Sequence, residues 1–336
     1  MPGLVEVNQV GKREYLADII SMIDAKETPV YSMAPKGEAP SNTLIEWQVD
    51  QYDDPDITGI IDGDDVTNFD NMAANRVRMR GRLQKFRKAF GVSDFAENIS
   101  DVAGIGRKGE MNRAATKAIV QIKRSMEARI CSDQDGQVGS GTTPYQFRGL
   151  GSWINASAQT DLPVDSRYLT PSGNIDNTAS TSLQDSNLQN VFSSIYLQTG
   201  QIRDLVCVCG ALFKKTVTRF AMYQQGVSST VASNRLFTQT AEAKKIVATV
   251  DVYQGDFGAI QLIPTPWNAF DSGKNSTTSQ MRAYVLNWEQ VEIAFARLPR
   301  IMPLEDRGGG PRSFVDAICA LKVFNPLPLG KFNATA

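Results

Sequence analysis

The amino-acid sequence predicts an α+β fold, and three observations support this class. A long helical pattern lies within residues 101 to 130, helix and strand patterns alternate between residues 188 and 223, and strand patterns dominate from residue 243 onward. Hydrophobic residues make up 42% of the 336 positions and charged residues 21%, so the chain contains enough apolar side chains for a substantial core. The length fits two domains, or one domain with large excursions.

The first two predicted elements are a helix and a strand. Apolar residues with helical i, i+3, i+4, i+7 spacing predict a short amphipathic helix over residues 13 to 24. Residues 43 to 52 are rich in strand-forming side chains, and alternate positions share one apolar face. The apolar helix positions are Leu16, Ile19, Ile20 and Ile23, and the strand positions are Thr43, Ile45, Trp47 and Val49.

An extended hairpin is predicted next, because a second strand pattern at residues 75 to 92 follows an acidic, turn-rich segment. Residues 46 to 70 contain nine Asp or Glu and no Lys or Arg, whereas residues 76 to 88 contain seven Lys or Arg and no acid. The two arms are therefore electrostatically complementary. Four arginines recur at every second position, which in a strand places them on one face. They are Arg76, Arg78, Arg80 and Arg82.

Three interpretations of this charge pattern stay open. The arginines can form a solvated strand that faces its acidic partner, an intersubunit contact, or a DNA-binding surface. Exposed ion pairs are worth only about 0.2 to 1 kcal/mol each, so a single pair adds little to stability. The candidate intersubunit residues are Arg76, Arg78, Arg80, Arg82, Lys85, Arg87, Asp53, Asp54, Asp56, Asp62, Asp64 and Asp65.

The remaining elements follow in order. Residues 107 to 130 of the long helix extend roughly 36 Å at about 1.5 Å per residue. Polar residues dominate positions 155 to 187, which predicts an irregular loop or small hairpin at the surface. Beyond these, the patterns predict a helix at 188 to 200, a buried strand at 204 to 210, a helix at 211 to 223, and strands at 243 to 254, 258 to 267, 282 to 298 and 313 to 326.

Composition excludes several classes of function. Histidine is absent, which removes Ser-His-Asp and Cys-His catalysis and imidazole-ligated metals, so no enzyme activity and no cofactor is predicted. The net charge of -1 provides no overall attraction to nucleic acid or to an anionic membrane. No secretory signal or membrane span is visible, which predicts a cytoplasmic protein. The four cysteines are predicted to be reduced and buried.

Residues 54 to 65 resemble a calcium loop, because their oxygen-bearing side chains occupy several positions of the twelve-residue pattern. Asp65 replaces the usual bidentate Glu, Pro55 is atypical, and strands flank the segment where helices are required. The prediction is therefore no metal site, with calcium binding at this segment left undecided.

Five stretches of sequence carry a resemblance to a known family. They are ETPVYSMAPKGEAPSNTLIEWQVD at 27 to 50, RLQKFRKAFGVSDFAE at 82 to 97, Arg148-Gly149-Leu150 with Trp153-Ile154, VDVYQGDFGAIQLIP at 250 to 264, and EIAFARLPR followed by VDAICALKVFNPLPLGKF. In this order the chain resembles the tailed-bacteriophage major capsid proteins of the Hong Kong 97-like fold, in particular a branch with short N-termini. The order of the stretches is the stronger argument, because no single motif is highly specific.

The resemblance implies a domain layout. An N-terminal arm occupies residues 1–42, and an extended E loop that lies across the neighbouring subunit occupies residues 43–90. The P domain comprises residues 91–187 and 301–336, with a spine helix at about 101–130. The A domain occupies residues 188–300.

The resemblance also implies a function without catalysis. The expected role is a capsid subunit of the virion that forms pentamers and hexamers, closes into an icosahedral head in the host cytoplasm, and encloses double-stranded DNA without sequence specificity. A separate scaffolding protein and a portal are expected partners, and no membrane is. The alternative is an encapsulin-like compartment with protein cargo. Replacing three of the four alternating arginines by serine is expected to impair shell formation without unfolding the subunit.

Overall fold

The structure is a computed structural model, and its α+β architecture confirms the predicted class. The predicted helix over residues 13 to 24 lies outside the described residues. Among the residues described, no helix has the length and apolar character of a membrane span. The described residues are 27–67, 69–99, 105, 108–200, 205–222, 238–239, 246–247, 251–273 and 275–333.

Helices and strands follow the sequence patterns closely. The helices are α1 (Pro29–Met33), α2 (Glu110–Ile130), α3 (Leu150–Trp153), α4 (Asp185–Thr199), α5 (Ala211–Met222) and α6 (Thr277–Met281). The strands are β1 (Lys36–Gly37), β2 (Leu44–Val49), β3 (Val77–Arg82), β4 (Gln84–Gly91), β5 (Ile175–Asp176), β6 (Leu205–Cys209), β7 (Thr238–Gln239), β8 (Ile246–Val247), β9 (Val252–Gly255), β10 (Gly258–Pro264), β11 (Arg282–Asn287), β12 (Val291–Leu304), β13 (Arg312–Val323) and β14 (Gly330–Asn333).

A four-stranded sheet with the order β1-β12-β13-β4 packs against the long helix α2. Apolar residues recur every four positions along α2, so they form one stripe that is buried against the sheet. The stripe is Ala118, Ile122, Met126 and Ile130. The Cys319 thiol of β13 lies 3.7 Å from the Met126 sulfur, which marks the contact between sheet and helix.

A six-stranded sheet with the order β5-β14-β11-β6-β10-β9 forms the second layer. Its central strand β6 is buried at every position, as its continuous apolar run predicts. Helices α4 and α5 contribute Ile195 and Phe213 to the cluster that covers this sheet. All four cysteines are buried and unpaired, which confirms the prediction for them.

Three predictions about elements need correction. The segment from 155 to 187 is irregular but not confined to the surface, because Tyr168 and Asn174 are buried and the Asn174 amide donates to the carbonyls of Leu327 and Leu329. The single strand predicted at 282 to 298 is two strands, β11 and β12, which belong to different sheets. A turn at Asn287 separates them, where its side chain accepts a hydrogen bond from the Glu289 amide.

The third correction concerns the start of the long helix, which begins at Glu110 in the described residues, later than the predicted residue 101. The two sheets also draw strands from both sides of the predicted domain boundaries. Strand β14, in the predicted P domain, pairs with β11 in the predicted A domain. The layout in domains therefore stays a proposal.

Candidate intersubunit surface

The predicted hairpin is present as an arm that extends from the body. Strands β2 and β3 pair antiparallel from Leu44↔Arg82 to Val49↔Val77. We call residues 44–82 the arm and residues 50–76 the arm tip. The arm tip contains no strand, and nearly all of its described residues are exposed. Local pairing therefore stabilises the base of the arm and leaves its tip without a core.

Large apolar side chains are concentrated on the arm tip. Seven of them are at least 75% exposed. A folded chain in isolation gains nothing from this arrangement, because each such side chain leaves its apolar area in water. A run of this density is typical of a surface that binds another molecule. The seven are Tyr52, Ile57, Ile60, Ile61, Val66, Phe69 and Met72.

The acidic candidates also lie on the arm tip. Asp53 accepts a hydrogen bond from the Asn75 amide at 2.5 Å, and Asp56 accepts two from Thr58, which lower the pKa of this carboxyl. None of the six acidic candidates forms an ion pair with a described residue, so their negative charge is uncompensated there. The six are Asp53, Asp54, Asp56, Asp62, Asp64 and Asp65.

The alternating arginines behave differently from one another. Arg76 lies 3.2 Å from Asp50, and Arg78 lies 3.4 Å from Glu46, so both pair with the opposite strand of the arm. Arg80 forms no ion pair with any residue described. The charge complementarity predicted between the two sides of the hairpin thus consists of two exposed ion pairs within one chain.

Arg82 fixes the base of the arm to the body. Its Nε and Nη2 donate to the two carboxylate oxygens of Asp161 at 2.7 and 2.8 Å, and both side chains are largely buried. This bidentate geometry is the strongest ion pairing that Arg makes. The Asp161 amide in turn donates to Asp135, whose carboxylate also accepts from Arg148. The arm therefore leaves the body from a rigid, charged junction.

The last two candidates, Lys85 and Arg87, lie on strand β4 of the four-stranded sheet and not on the arm. The Lys85 ammonium is 3.7 Å from the carboxylate of Asp316, which is buried on β13. The Arg87 guanidinium lies over the ring of Phe314, 4.8 Å from its centre. These cations face away from α2, because the alternate residues Phe86 and Phe90 pack toward the core.

Sequence reasoning missed two further cations at Asp316. Arg297 lies 2.8 Å and Arg300 3.9 Å from its carboxylate. Both belong to the EIAFARLPR stretch, but nothing in its spacing indicates a common partner. The only available signal was the single acid within the apolar run of β13. A buried carboxylate in such a strand requires cationic neighbours.

A second buried carboxylate fixes the segment before the arm. Glu127 of α2 accepts hydrogen bonds from the backbone N–H groups of Val30, at 2.9 Å, and Tyr31, at 2.7 Å. Burial raises the pKa of Glu127 to about 7, although the two hydrogen bonds and the charge of Lys36 oppose this shift. The carboxylate holds α1 against the long helix.

The acidic segment at residues 54 to 65, which resembles a calcium loop in sequence, does not bring its side chains together around one point. Among the described residues, no group of three or more Cys, Asp or Glu side chains converges to hold a metal ion. Residues 54 to 65 are extended and exposed, with one turn at Asp62 and Gly63.

Comparisons with known proteins agree with one another. The family described as SU10 major capsid protein matches residues 5–336. No curated protein matches the chain. A solved structure named "Cyanophage A-1(L) capsid asymmetric unit" is similar with a TM-score of 0.67 and 11% identity, over 99% of this chain and 100% of that chain.

Two further structures show the same similarity. One is named "Mycobacterium phage Bobi", with a TM-score of 0.61 and 10% identity over 98% of each chain. The other, "Capsid of native GTA particle computed with C5 symmetry", has a TM-score of 0.59 and 11% identity over 98% of this chain and 97% of that chain. The likeness extends over whole chains.

Proposed function

This chain belongs to the SU10 major capsid protein family and has the Hong Kong 97-like capsid fold, and from that premise we propose how it assembles. Members of the family are structural proteins of the virion capsid and not enzymes. We propose that the subunits form pentamers and hexamers that close into an icosahedral head around double-stranded DNA. The family match favours this head over an encapsulin-like compartment.

The observation that supports self-assembly most directly is the exposed arm tip. Its seven apolar side chains and six unpaired carboxylates lie on a segment that has no core of its own. Burying one such side chain contributes about 1.5 to 3 kcal/mol, so the arm tip gains considerable free energy when a neighbouring subunit covers it. In this proposal the arm is the E loop and lies across the next copy.

The charged candidates have distinct roles in this proposal. The six aspartates of the arm tip contact the neighbouring copy, as do Lys85 and Arg87. Arg80, which has no described ion-pair partner, is the arginine of the row that is free to contact a second chain. Arg76, Arg78 and Arg82 support the arm from within the chain and act on assembly through its shape.

The proposal also includes the enclosed DNA and the other proteins of the head. Lys and Arg number 35 against 36 Asp and Glu, so the subunit balances its charges overall. A container of this kind encloses DNA without sequence specificity and without binding it at every basic residue. A separate scaffolding protein and a portal are the further partners that we propose.

Electron microscopy with size-exclusion chromatography on the protein expressed alone tests self-assembly. We expect rings of pentamer or hexamer size from the native chain alone, and closed shells of megadalton size when it is coexpressed with its scaffolding protein. The variant Ile57→Ser/Ile60→Ser/Ile61→Ser is expected to form none while retaining the native melting temperature. Val138→Ser, the same kind of change at an exposed side chain outside the arm, is the control and should assemble normally.

Two outcomes would count against parts of this proposal. Normal shells from the triple variant would remove the arm tip from the assembly mechanism. Efficient shell formation by the native chain alone would argue against a required scaffolding protein but would support self-assembly. Native protein that stays monomeric alone and also when coexpressed with its head proteins would contradict the proposed assembly.

A further inference from the structure

We infer that the arm tip of one copy docks on a basic surface of a second copy, built from β4, β12 and β13 on the sheet face opposite α2. We call this the Asp316 surface; it consists of Lys85, Arg87, Arg297, Arg300 and Asp316. The inference rests on the proposed function and names the partner surface of the arm. It also separates the cations that act between subunits from those that act within the arm.

The Asp316 surface is organised by strand register. Asp316 pairs with Arg87 on one side and with Arg300 on the other, so the three side chains form a row across three strands. Residues directly opposite in a sheet project from the same face. Lys85 lies two positions before Arg87 on β4 and therefore joins the same face. The cations are held at fixed separations by the backbone.

The buried carboxylate is surrounded by more positive charge than it neutralises. The Asp316 side chain is 1% exposed, whereas those of Lys85 and Arg300 are 45% and 53% exposed. Three cations lie within 4 Å of this carboxylate, and Arg87 is its neighbour across the sheet, so the five side chains together carry a net charge of +3. The Oδ1 atom of Asp316 has no hydrogen-bond partner among the residues described. The exposed cations therefore suit this face to an anionic partner.

The arm tip has the complementary charge. Six carboxylates there form no ion pair with any part of the chain that the structure describes, and residues 46 to 70 contain no Lys or Arg. The cations nearest in sequence are already engaged, because Arg76 and Arg78 pair inside the arm and Arg82 pairs with Asp161. A second copy supplies the cations that the arm tip lacks.

The mixture of side chains favours a protein over nucleic acid as the occupant. On the arm tip, acids alternate with large apolar residues, as in Asp56-Ile57 and Ile61-Asp62. On the Asp316 surface, half-buried Phe314 lies beneath Arg87. Phosphate groups would use the cations but not the apolar contacts. Both kinds of contact are satisfied when the arm tip of a second copy binds.

Charge reversal tests this pairing. Changing Asp53, Asp54, Asp56, Asp62, Asp64 and Asp65 to lysine reverses the charge of the arm tip. Lys85→Glu/Arg87→Glu reverses the Asp316 surface while leaving Arg297 on Asp316. Sedimentation at increasing protein concentration measures association, and thermal unfolding checks the fold of each variant. Each reversal should raise the concentration needed for association by about tenfold or more, since like charges then face one another. The two reversals combined in one chain should restore association to within about threefold.

A matched control uses the cations that pair inside the arm. Arg76→Glu/Arg78→Glu combined with the reversed arm tip should not restore association. If the native chain associates and both reversals leave it unchanged, the pairing is wrong while the capsid function stands. Reversals that leave association unchanged and lower only the DNA retained in particles would overturn the pairing in favour of DNA contact. A native chain that stays monomeric under all conditions would overturn the pairing and contradict the proposed function with it. If Lys85→Glu/Arg87→Glu unfolds, Arg87→Gln gives the same test with a smaller expected change.

Discussion

The arm tip and the body around α2 use the same kinds of side chain in opposite ways. In the body, apolar residues such as Met126 and Ile130 are fully buried between α2 and the four-stranded sheet. In the arm tip, Ile57 and Ile60 are almost fully exposed. The body holds its carboxylates Glu127 and Asp316 against donors or cations, whereas the six candidate aspartates of the arm tip have no described ion-pair partner.

This difference implies that folding and assembly depend on different regions of the chain. The body buries a large apolar core within one chain, so it determines whether the subunit folds. The seven apolar side chains and six candidate aspartates of the arm tip lack such partners among the described residues, and in the proposed assembly they contribute free energy when a second copy covers them. Substitutions in the two regions should therefore change different measurements.

The largest effect on stability is expected in the body. Ile130→Ala removes a fully buried side chain from the end of α2, and such truncations cost about 2 to 5 kcal/mol. Chemical denaturation of the unassembled subunit should show this loss. Ile60→Ala on the arm tip is the matched control and should change the free energy of unfolding by less than about 0.5 kcal/mol. Equal losses from both substitutions would contradict the separation of folding from assembly.

A pH dependence is expected at Glu127. Its carboxyl pKa is about 7 in the folded chain against 4.5 when unfolded, so the folded state holds the proton more tightly. The stabilising effect of the proton is complete below pH 4.5 and is lost as the pH rises through 7. A shift of this size corresponds to about 3 kcal/mol. Relative to Glu127→Gln, the native chain should lose stability between pH 5 and pH 8.

Thermal unfolding of both proteins across this range measures the difference. Taking the difference between the two chains removes the contributions of all other titrating groups. A difference that stays constant from pH 5 to pH 8 would show that Glu127 keeps an ordinary pKa.

The local pattern of apolar and charged residues was sufficient to predict the arm and α2. The hairpin followed from alternation and from opposite charges on its two strands, and α2 followed from apolar spacing over many turns. Both elements are contiguous in sequence. The split of residues 282 to 298 was missed, because β11 and β12 are both apolar and only the turn at Asn287 separates them.

The Asp316 surface was beyond sequence reasoning for a different reason. Its strands lie at residues 84–91, 291–304 and 312–323, and only tertiary packing brings them together. Arg297 and Arg300 are three positions apart, so regular alternation would place them on opposite faces. Register shifts in β12 on both sides of Arg297 bring both side chains to Asp316. Such irregularities are not encoded in a period-two pattern.

At the junction of arm and body, a smaller effect is expected from Arg82→Met. The substitution removes both hydrogen bonds to Asp161 and leaves that carboxylate largely buried without its cation. Losing hydrogen bonds to a charged group costs about 1.5 to 3 kcal/mol. Denaturation of the subunit measures this, and Arg82→Met/Asp161→Leu should recover part of the loss. If the double variant is no more stable than the single one, the unpaired carboxylate is not the cause.

The smallest effect is expected within the arm itself. Arg78 and Glu46 form an exposed ion pair at 3.4 Å, and such pairs contribute about 0.2 to 1 kcal/mol. A double-mutant cycle with Arg78→Ala and Glu46→Ala should give a coupling energy in this range that decreases in 1 M salt, because exposed charges are screened there. A coupling energy above about 2 kcal/mol would mean that the two strands of the arm are held together far more tightly than exposed pairing allows. The arm would then fold stably by itself, and the difference between a self-sufficient body and an arm that depends on a second copy would be smaller than proposed.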